Sequence, residues 1–254
     1  MDQSRIESAA AFLASLRAPD AVPASNLPED LRPTTEAETV AIQLATLAKL
    51  GPIGGWKVGA ASASALPVAS PLPLPGIKPS PARIHSRRRG IEAEIGFRFG
   101  QALPSRAEPY DAATVLAAIE SCFATIEILE PRFIDQNALD PLSARADLGM
   151  HGGLVVGAPI AAWRPEMFAT QQVVLTENGL TICEATGSNP GGTDLIRLLV
   201  ELANTDVVRA AGGIQAGEVV TTGSWTGALF AAPGARIVAR FAGFPPVEVN
   251  FGRD

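Results

Sequence analysis

The order of patterns along the chain predicts an α+β fold. Two helical stretches come first, before residue 51; from Gly90 onward apolar residues alternate with polar ones, the period of strands. Helices and strands are therefore segregated rather than interleaved, which distinguishes α+β from alternating α/β. Asn178-Gly179 between two alternating runs marks a hairpin, a connection that joins antiparallel neighbours.

Each element has a local reason. Ile6, Ala10, Phe12, Leu13 and Leu16 are spaced for one buried face of a first helix. Residues 18–35 carry Pro19, Pro23, Pro28 and Pro33 and read as a surface connector. Thr34 or Thr35 can cap a second helix, whose apolar positions are Val40, Ile42, Leu44, Leu47 and Leu50 before Gly51 stops it. GPIGGWKVGA follows, dense in glycine around Lys57. Residues 61–82 hold Pro67, Pro71, Pro73, Pro75, Pro79 and Pro81, a composition that cannot continue a helix and disfavours a central strand. A long irregular loop of that kind is often a lid.

In IEAEIGFRFG, Ile91, Ala93, Ile95, Phe97 and Phe99 share one face and Glu92, Glu94, Gly96 and Arg98 the other. Residues 111–121 read as a helix, and FATIEIL as a strand with Phe123, Thr125, Glu127 and Leu129 on one face. Residues 154–160, 171–187, 217–227 and 235–251 supply the remaining strands, with one helix from Thr193 to Asn204 among them. The division is a helical region 1–60, a proline-rich loop 61–89 as candidate lid, and a β-rich body 90–254, all within one structural domain.

Composition narrows the function. The 254 residues are 47% hydrophobic and 18% charged, which is globular material. A net charge of -6 argues against nucleic acid as the partner. No apolar run reaches the roughly 18 residues of a membrane span. Asp2 and Glu7 at the start of the chain are unlike a secretory leader. Cys122 and Cys183 form neither a disulfide framework nor a metal spacing, so the expected compartment is the cytoplasm.

Three segments carry candidate chemistry. Glu92 and Glu94, at i and i+2 of a strand, point the same way about 6.6–7 Å apart. With Glu127, a charge set mid-strand among apolar neighbours, they make a hard-oxygen site suited to Mg²⁺. Spacing alone favours a plainer reading, two carboxylates on the wet face of an antiparallel strand. Lys57, between Trp56 and Val58 with glycines around it, can bind a carboxylate or, with a lowered pKa, move protons; its plainer reading is a snorkelling surface lysine. Ser224 and Thr226 in GSWTGA offer hydroxyls to a carbonyl or carboxylate, or decorate an ordinary hairpin. His85 precedes the basic run 87–89 and reads as solvated surface; His151 reads as a satisfied structural histidine.

Taken in order, six segments resemble the fumarylacetoacetate hydrolase superfamily, in its branch of 2-keto-4-pentenoate hydratases and 4-oxalocrotonate decarboxylases. They are AIQLATLAKLGPIGGWKVG (41–59), IEAEIGFRFG (91–100), ATIEILEPRF (124–133), ADLGMHGGLVVG (146–157), NPGGTDLIRLLVELAN (189–204) and AGEVVTTGSWTGA (216–228). The resemblance implies a mixed β-sandwich roll preceded by helices, and a homo-oligomer. It implies that Glu92, Glu94 and Glu127 are metal ligands for Mg²⁺ or Mn²⁺ and that Lys57 is catalytic. Arg132, Ser224 and Thr226 are the implied substrate-binding residues. The implied activity is hydration of a 2-hydroxy-2,4-dienoic acid from aromatic catabolism. Decarboxylation of a 4-oxalocrotonate-like acid and acylpyruvate cleavage are alternatives, as is a catalytically idle oligomeric binding module. The chain departs from the hydratases in 70–84, where their P-D-[YF]-G-like aspartate has no counterpart.

Overall fold

Two mixed β-sheets meet face to face, and the residues that alternate along their strands form the shared core. The computed structural model describes residues 1–135, 138–160 and 162–253. Helix α1 (Gln3–Ser15) starts at Asp2, whose carboxylate accepts the Arg5 amide; α2 (Glu36–Leu50) starts at Thr35, whose hydroxyl accepts the Glu38 amide, and stops at Gly51. Ala9, Leu13 and Leu16 of the first helical region bury against Ile42 of α2, Phe133 and Ala146. The expected helix Thr193–Asn204 is Leu195–Ala203, capped by Asp194.

The larger sheet has eight strands. Its centre is Gly90–Phe99 paired antiparallel with Ile119–Leu129, which pairs in turn with His151–Ile160. On the other side of Gly90–Phe99 lies the short strand Val219–Thr221, and beside that, in parallel, Ile53–Gly59. The smaller sheet runs Leu180–Thr186, Gln172–Glu177, Arg236–Phe241, Val247–Phe251, Ala82–Ile84. Asn178 (φ 50°) and Gly179 (φ 86°) turn the hairpin at its rim, both in the left-handed region that a tight two-residue turn demands. Ile91, Ile95, Phe97 and Ile126 of the large sheet and Ile237, Val247 and Val249 of the small one are buried in one core.

The proline-rich segment differs from its expectation. Three parts of it are strand: Val68–Pro73 pairs with Ile53–Gly59, Ile77–Pro79 with His151–Ile160, and Ala82–Ile84 with Val247–Phe251. The first two are the outer strands of the large sheet and the third an outer strand of the small one. The physical reason is that an outer strand has one unpaired side, where a proline without an N–H costs no ladder bond. The irregular stretch that remains is 60–67. A second difference lies in 217–227, where only Val219–Thr221 is strand; the chain leaves the sheet at Gly223 (φ 90°).

Candidate functional site

Strand register builds the site. Glu92 lies directly opposite Glu127 across the Gly90–Phe99/Ile119–Leu129 pair, and Glu94 lies opposite Thr125 on the same face. One carboxylate oxygen from each of Glu92, Glu94 and Glu127 lies within 4.8 Å of the others. Lys57 reaches the same face because its strand is parallel to Val219–Thr221, placing Lys57 opposite Thr221. Its Nζ donates to Glu127 Oε1 at 2.7 Å and to the carbonyl of Gly149 at 3.0 Å. A cavity of about 340 Å³ opens over this group, with Val58, Ala60, Val68 and Pro190 as its apolar wall.

This face is not wet. Glu94 is 2% exposed and Glu127 fully buried. Thr221 donates its hydroxyl to Glu94 Oε2, and the amide of Gly223 donates to the same oxygen at 2.9 Å. Thr125 and Thr221 hydroxyls meet at 2.9 Å, so the oxygen is held by a short polar chain. Glu127 Oε1 receives Lys57 and also meets His151 Nδ1 at 3.0 Å, whereas Glu127 Oε2 is buried with no hydrogen-bond partner. An orphaned carboxylate oxygen beside two further carboxylates asks for a cation. Three hard-oxygen donors converging on one point therefore fit a divalent metal ion.

Burial and mutual repulsion set the charges. Burial, then the Glu127 charge, raises the Glu92 carboxyl to about 7. Burial with both neighbouring glutamates pushes Glu94 well above the carboxylate range. Burial acts the same way on Glu127, but the Lys57 charge and the His151 hydrogen bond overcome it and hold that carboxyl low. Burial opposes the Lys57 charge; Glu127 and Glu92 outweigh it and raise its pKa. The surrounding carboxylates thus favour the charged form of Lys57. Burial keeps His151 low, so it stays neutral.

The remaining expected residues divide. Ser224 lines the cavity. Thr226 does not; its hydroxyl accepts the Ala93 amide at 3.2 Å and so supports the strand that carries the glutamates. Arg132 is 1% exposed and lies outside the cavity. Its Nε donates to Asp147 at 2.8 Å, Nη1 to the His151 carbonyl at 2.8 Å and Nη2 to the Asp147 carbonyl at 3.0 Å. Every guanidinium nitrogen is thereby occupied by the chain itself, and Arg132 fixes the segment 147–151 rather than facing a ligand. The glycines around Lys57 also serve mostly the fold: a Cβ on Gly55 would stand 2.2 Å from the Val219 carbonyl, and only Gly59 reaches the cavity.

Sequence reasoning missed His151, Gly149 and Arg145. Leu148, Gly149 and Met150 all have positive φ (53°, 58° and 65°), a strained run that turns the Gly149 carbonyl toward Lys57. The signal that pointed to His151 was indirect: a buried Glu127 needs partners, and a lone buried histidine is one.

No family model matches the chain. In sequence it is similar to 4-oxalocrotonate decarboxylase of Pseudomonas putida, 28% identical over 137 residues, covering 54% of this chain and 51% of that protein. To the 4-oxalocrotonate decarboxylase of Pseudomonas sp. strain CF600 it is 28% identical over 180 residues, 71% of this chain and 65% of the other. The matched regions thus span less than two thirds of either relative. In structure the chain is similar to 4-oxalocrotonate decarboxylase from Pseudomonas putida G7, complexed with calcium and acetate or with magnesium and adipate. The TM-score is 0.81 for both, with 22% and 21% identity, covering 99% of this chain and 98% of that one. A Yersinia pestis CO92 protein assigned to the fumarylacetoacetate hydrolase family superposes with a TM-score of 0.56 at 16% identity, over 79% of this chain and 93% of that one. Along nearly its whole length the chain thus has the fold of 4-oxalocrotonate decarboxylase, a fold it shares more distantly with a protein of the fumarylacetoacetate hydrolase family.

Proposed function

We propose that the protein is a divalent-metal-dependent lyase acting on a small 2-oxo acid, and specifically a decarboxylase of a 4-oxalocrotonate-like dicarboxylate. The observation that carries it is the buried trio Glu92, Glu94 and Glu127 with an orphaned Glu127 Oε2, beside a lysine held as a cation. The three glutamates would hold Mg²⁺ or Mn²⁺. A bound dication supplies Lewis-acid polarisation of the 2-oxo group and partly offsets the substrate's charge.

The chain's own residues do the rest. In a 2-oxo-3-enedioate, the bond to the far carboxylate breaks and CO₂ leaves. The electron pair moves through the double bond onto the 2-oxo oxygen, giving a dienolate. Lys57 carries a charge complementary to that oxygen and uses two of its three N–H donors on Glu127 and Gly149, leaving one. Glu127 and the Gly149 carbonyl orient it, and His151 and Arg132 fix those two in turn. The apolar wall excludes water from the conjugated chain.

Hydration of a 2-hydroxy-2,4-dienoic acid is the second reading, favoured by Ser70 and Ser224, whose hydroxyls lie in the cavity wall where a water can be held. Against it, among the described residues no acid besides the three glutamates lines the cavity, so none there is spare to deliver that water's proton. The homo-oligomer belongs to the same proposal; Leu180 (75% exposed) and Phe230 (62%) are apolar surface open to it. The deciding assay supplies Mg²⁺ with 2-oxohex-3-enedioate or with 2-hydroxypenta-2,4-dienoate, following ultraviolet absorbance and released CO₂. Mg²⁺-dependent CO₂ release from the first is expected. Turnover of the second alone assigns hydration, and no turnover of either overturns the lyase reading.

A further inference from the structure

Among the described residues two cations, Lys57 and Arg145, line the cavity, and only Lys57 is bound to its glutamates. Lys57 is bound to Glu127 and Gly149. Arg145, at the end of the short helix Pro141–Ala146, reaches the same cavity from the side of α2. Beyond Arg145 and Val68, which both spaces share, an adjoining groove of about 810 Å³ opens along α2. Arg145 thus stands where the cavity over the glutamates meets the groove.

The backbone at Arg145 is fixed from below. Gln43, 2% exposed, donates Nε2 to the Arg145 carbonyl at 2.7 Å and to Ser70 Oγ at 3.0 Å, and Ser70 also lines the cavity. The helix that carries the arginine is capped by Asp140 and buried at Ser143 and Ala146. The side chain, by contrast, is lightly held: Nε donates to the Pro141 carbonyl at 3.2 Å and Nη2 pairs with Glu36, itself 63% exposed. An ion pair open to water is worth little, and a carboxylate arriving from the cavity can replace it at small cost. Between Arg145 and the glutamates the wall is largely apolar, suited to a short carbon chain rather than to a polar one.

We propose that Arg145 is a specificity-determining residue that binds the far carboxylate of a dicarboxylic 2-oxo acid. The inference rests on the 2-oxo acid reading above and deepens it: the site takes dicarboxylates in preference to monocarboxylates of the same length. A charge-assisted hydrogen bond between guanidinium and carboxylate sets the expected preference at about tenfold or more.

Calorimetric titration of the Mg²⁺-loaded protein with 2-oxohexanedioate and with 2-oxohexanoate tests it without turnover, since neither saturated acid can lose CO₂ through a vinylogous system. The wild-type protein should bind the diacid roughly tenfold tighter or better. In Arg145→Gln that ratio should fall to near one, with 2-oxohexanoate and Mg²⁺ bound as before; Arg145→Lys should restore part of it. A preference unchanged in Arg145→Gln overturns the assignment. So does equal weakening of both acids, which makes Arg145 a structural residue only. Failure of the wild-type protein to bind either acid in a Mg²⁺-dependent way overturns the 2-oxo acid reading itself, and this assignment with it.

Discussion

Lys57 shows how a single side chain acquires a role from its neighbours. Alone on a strand it is a snorkelling lysine; beside Glu127 and under the Gly149 carbonyl it is a cation locked in place. Its pKa moves up rather than down, so under the function proposed above it would answer the charge that develops on the substrate. Lys57→Met should therefore keep the fold and keep Mg²⁺ binding while lowering kcat by about 10²–10³, the usual cost of removing one such electrostatic contact. Near-normal kcat in that variant, measured on whichever of the two substrates above the wild-type protein turns over, would remove the lysine from the chemistry. Glu130 makes the contrast within one strand's reach. Three residues from Glu127, it faces the other way and binds Ser86, Arg87 and the Arg88 amide. A carboxylate close in sequence is not thereby close to the site.

At the scale of elements, the segment after Lys57 is the most informative. Prolines from Pro67 to Pro81 read as a loop, yet Pro71, Pro73 and Pro79 sit in strands, because outer strands tolerate a missing donor. What stays irregular, 60–67, carries Leu66 at 86% exposure and is held by local turn bonds such as the Ala65 amide to the Ser62 carbonyl. Ala60 and Val68 at its two ends line the cavity, so we propose that this stretch acts as a lid over the site. Segments with few backbone bonds are the first to open. Limited proteolysis with a broad-specificity protease should cut within 60–67 and spare 68–84. Mg²⁺ with 2-oxohexanedioate should slow that cut several-fold. Cleavage at the same rate with and without the ligands would make 60–67 a plain connection between strands.

The whole molecule bears the cost of three buried carboxylates, and pH reveals it. Glu92 titrates at about 7 in the folded protein against an ordinary 4.5, so between those values the folded state holds a proton that the unfolded chain has lost. Its contribution to stability is complete below about 4.5 and disappears as pH rises through about 7; Glu94 acts in the same sense, and Glu127, held low, in the opposite one. A dication removes the repulsion only where the carboxylates are ionised. Thermal unfolding should therefore show Mg²⁺ raising Tm more at pH 8 than at pH 5. A difference on the order of 5 °C follows if one to three kcal/mol of the site's strain is relieved in a chain this long, at about 2–4 °C per kcal/mol. Equal stabilisation by Mg²⁺ at both pH values would separate metal binding from these glutamates.

Local pattern determined much of this protein. Alternation put Glu92 and Glu94 on one face, Thr35 began α2, and Asn178-Gly179 turned a hairpin, all by rules that reach only a few residues along the chain. Resemblance to known motifs extended that reach to Lys57 and Glu127, which the structure places on one face with Glu92 and Glu94. Tertiary structure alone decided the rest. Which strands lie side by side is settled by burial across the whole core, so the parallel pairing that brings Lys57 opposite Thr221, and the register that sets Glu127 opposite Glu92, have no local signature. The same holds for His151 against Glu127 and for Arg145 at the cavity's edge. Arg132 makes the point from the other side: its motif was legible, but the buried Asp147 that occupies its guanidinium comes into contact only when 147–151 folds back over it.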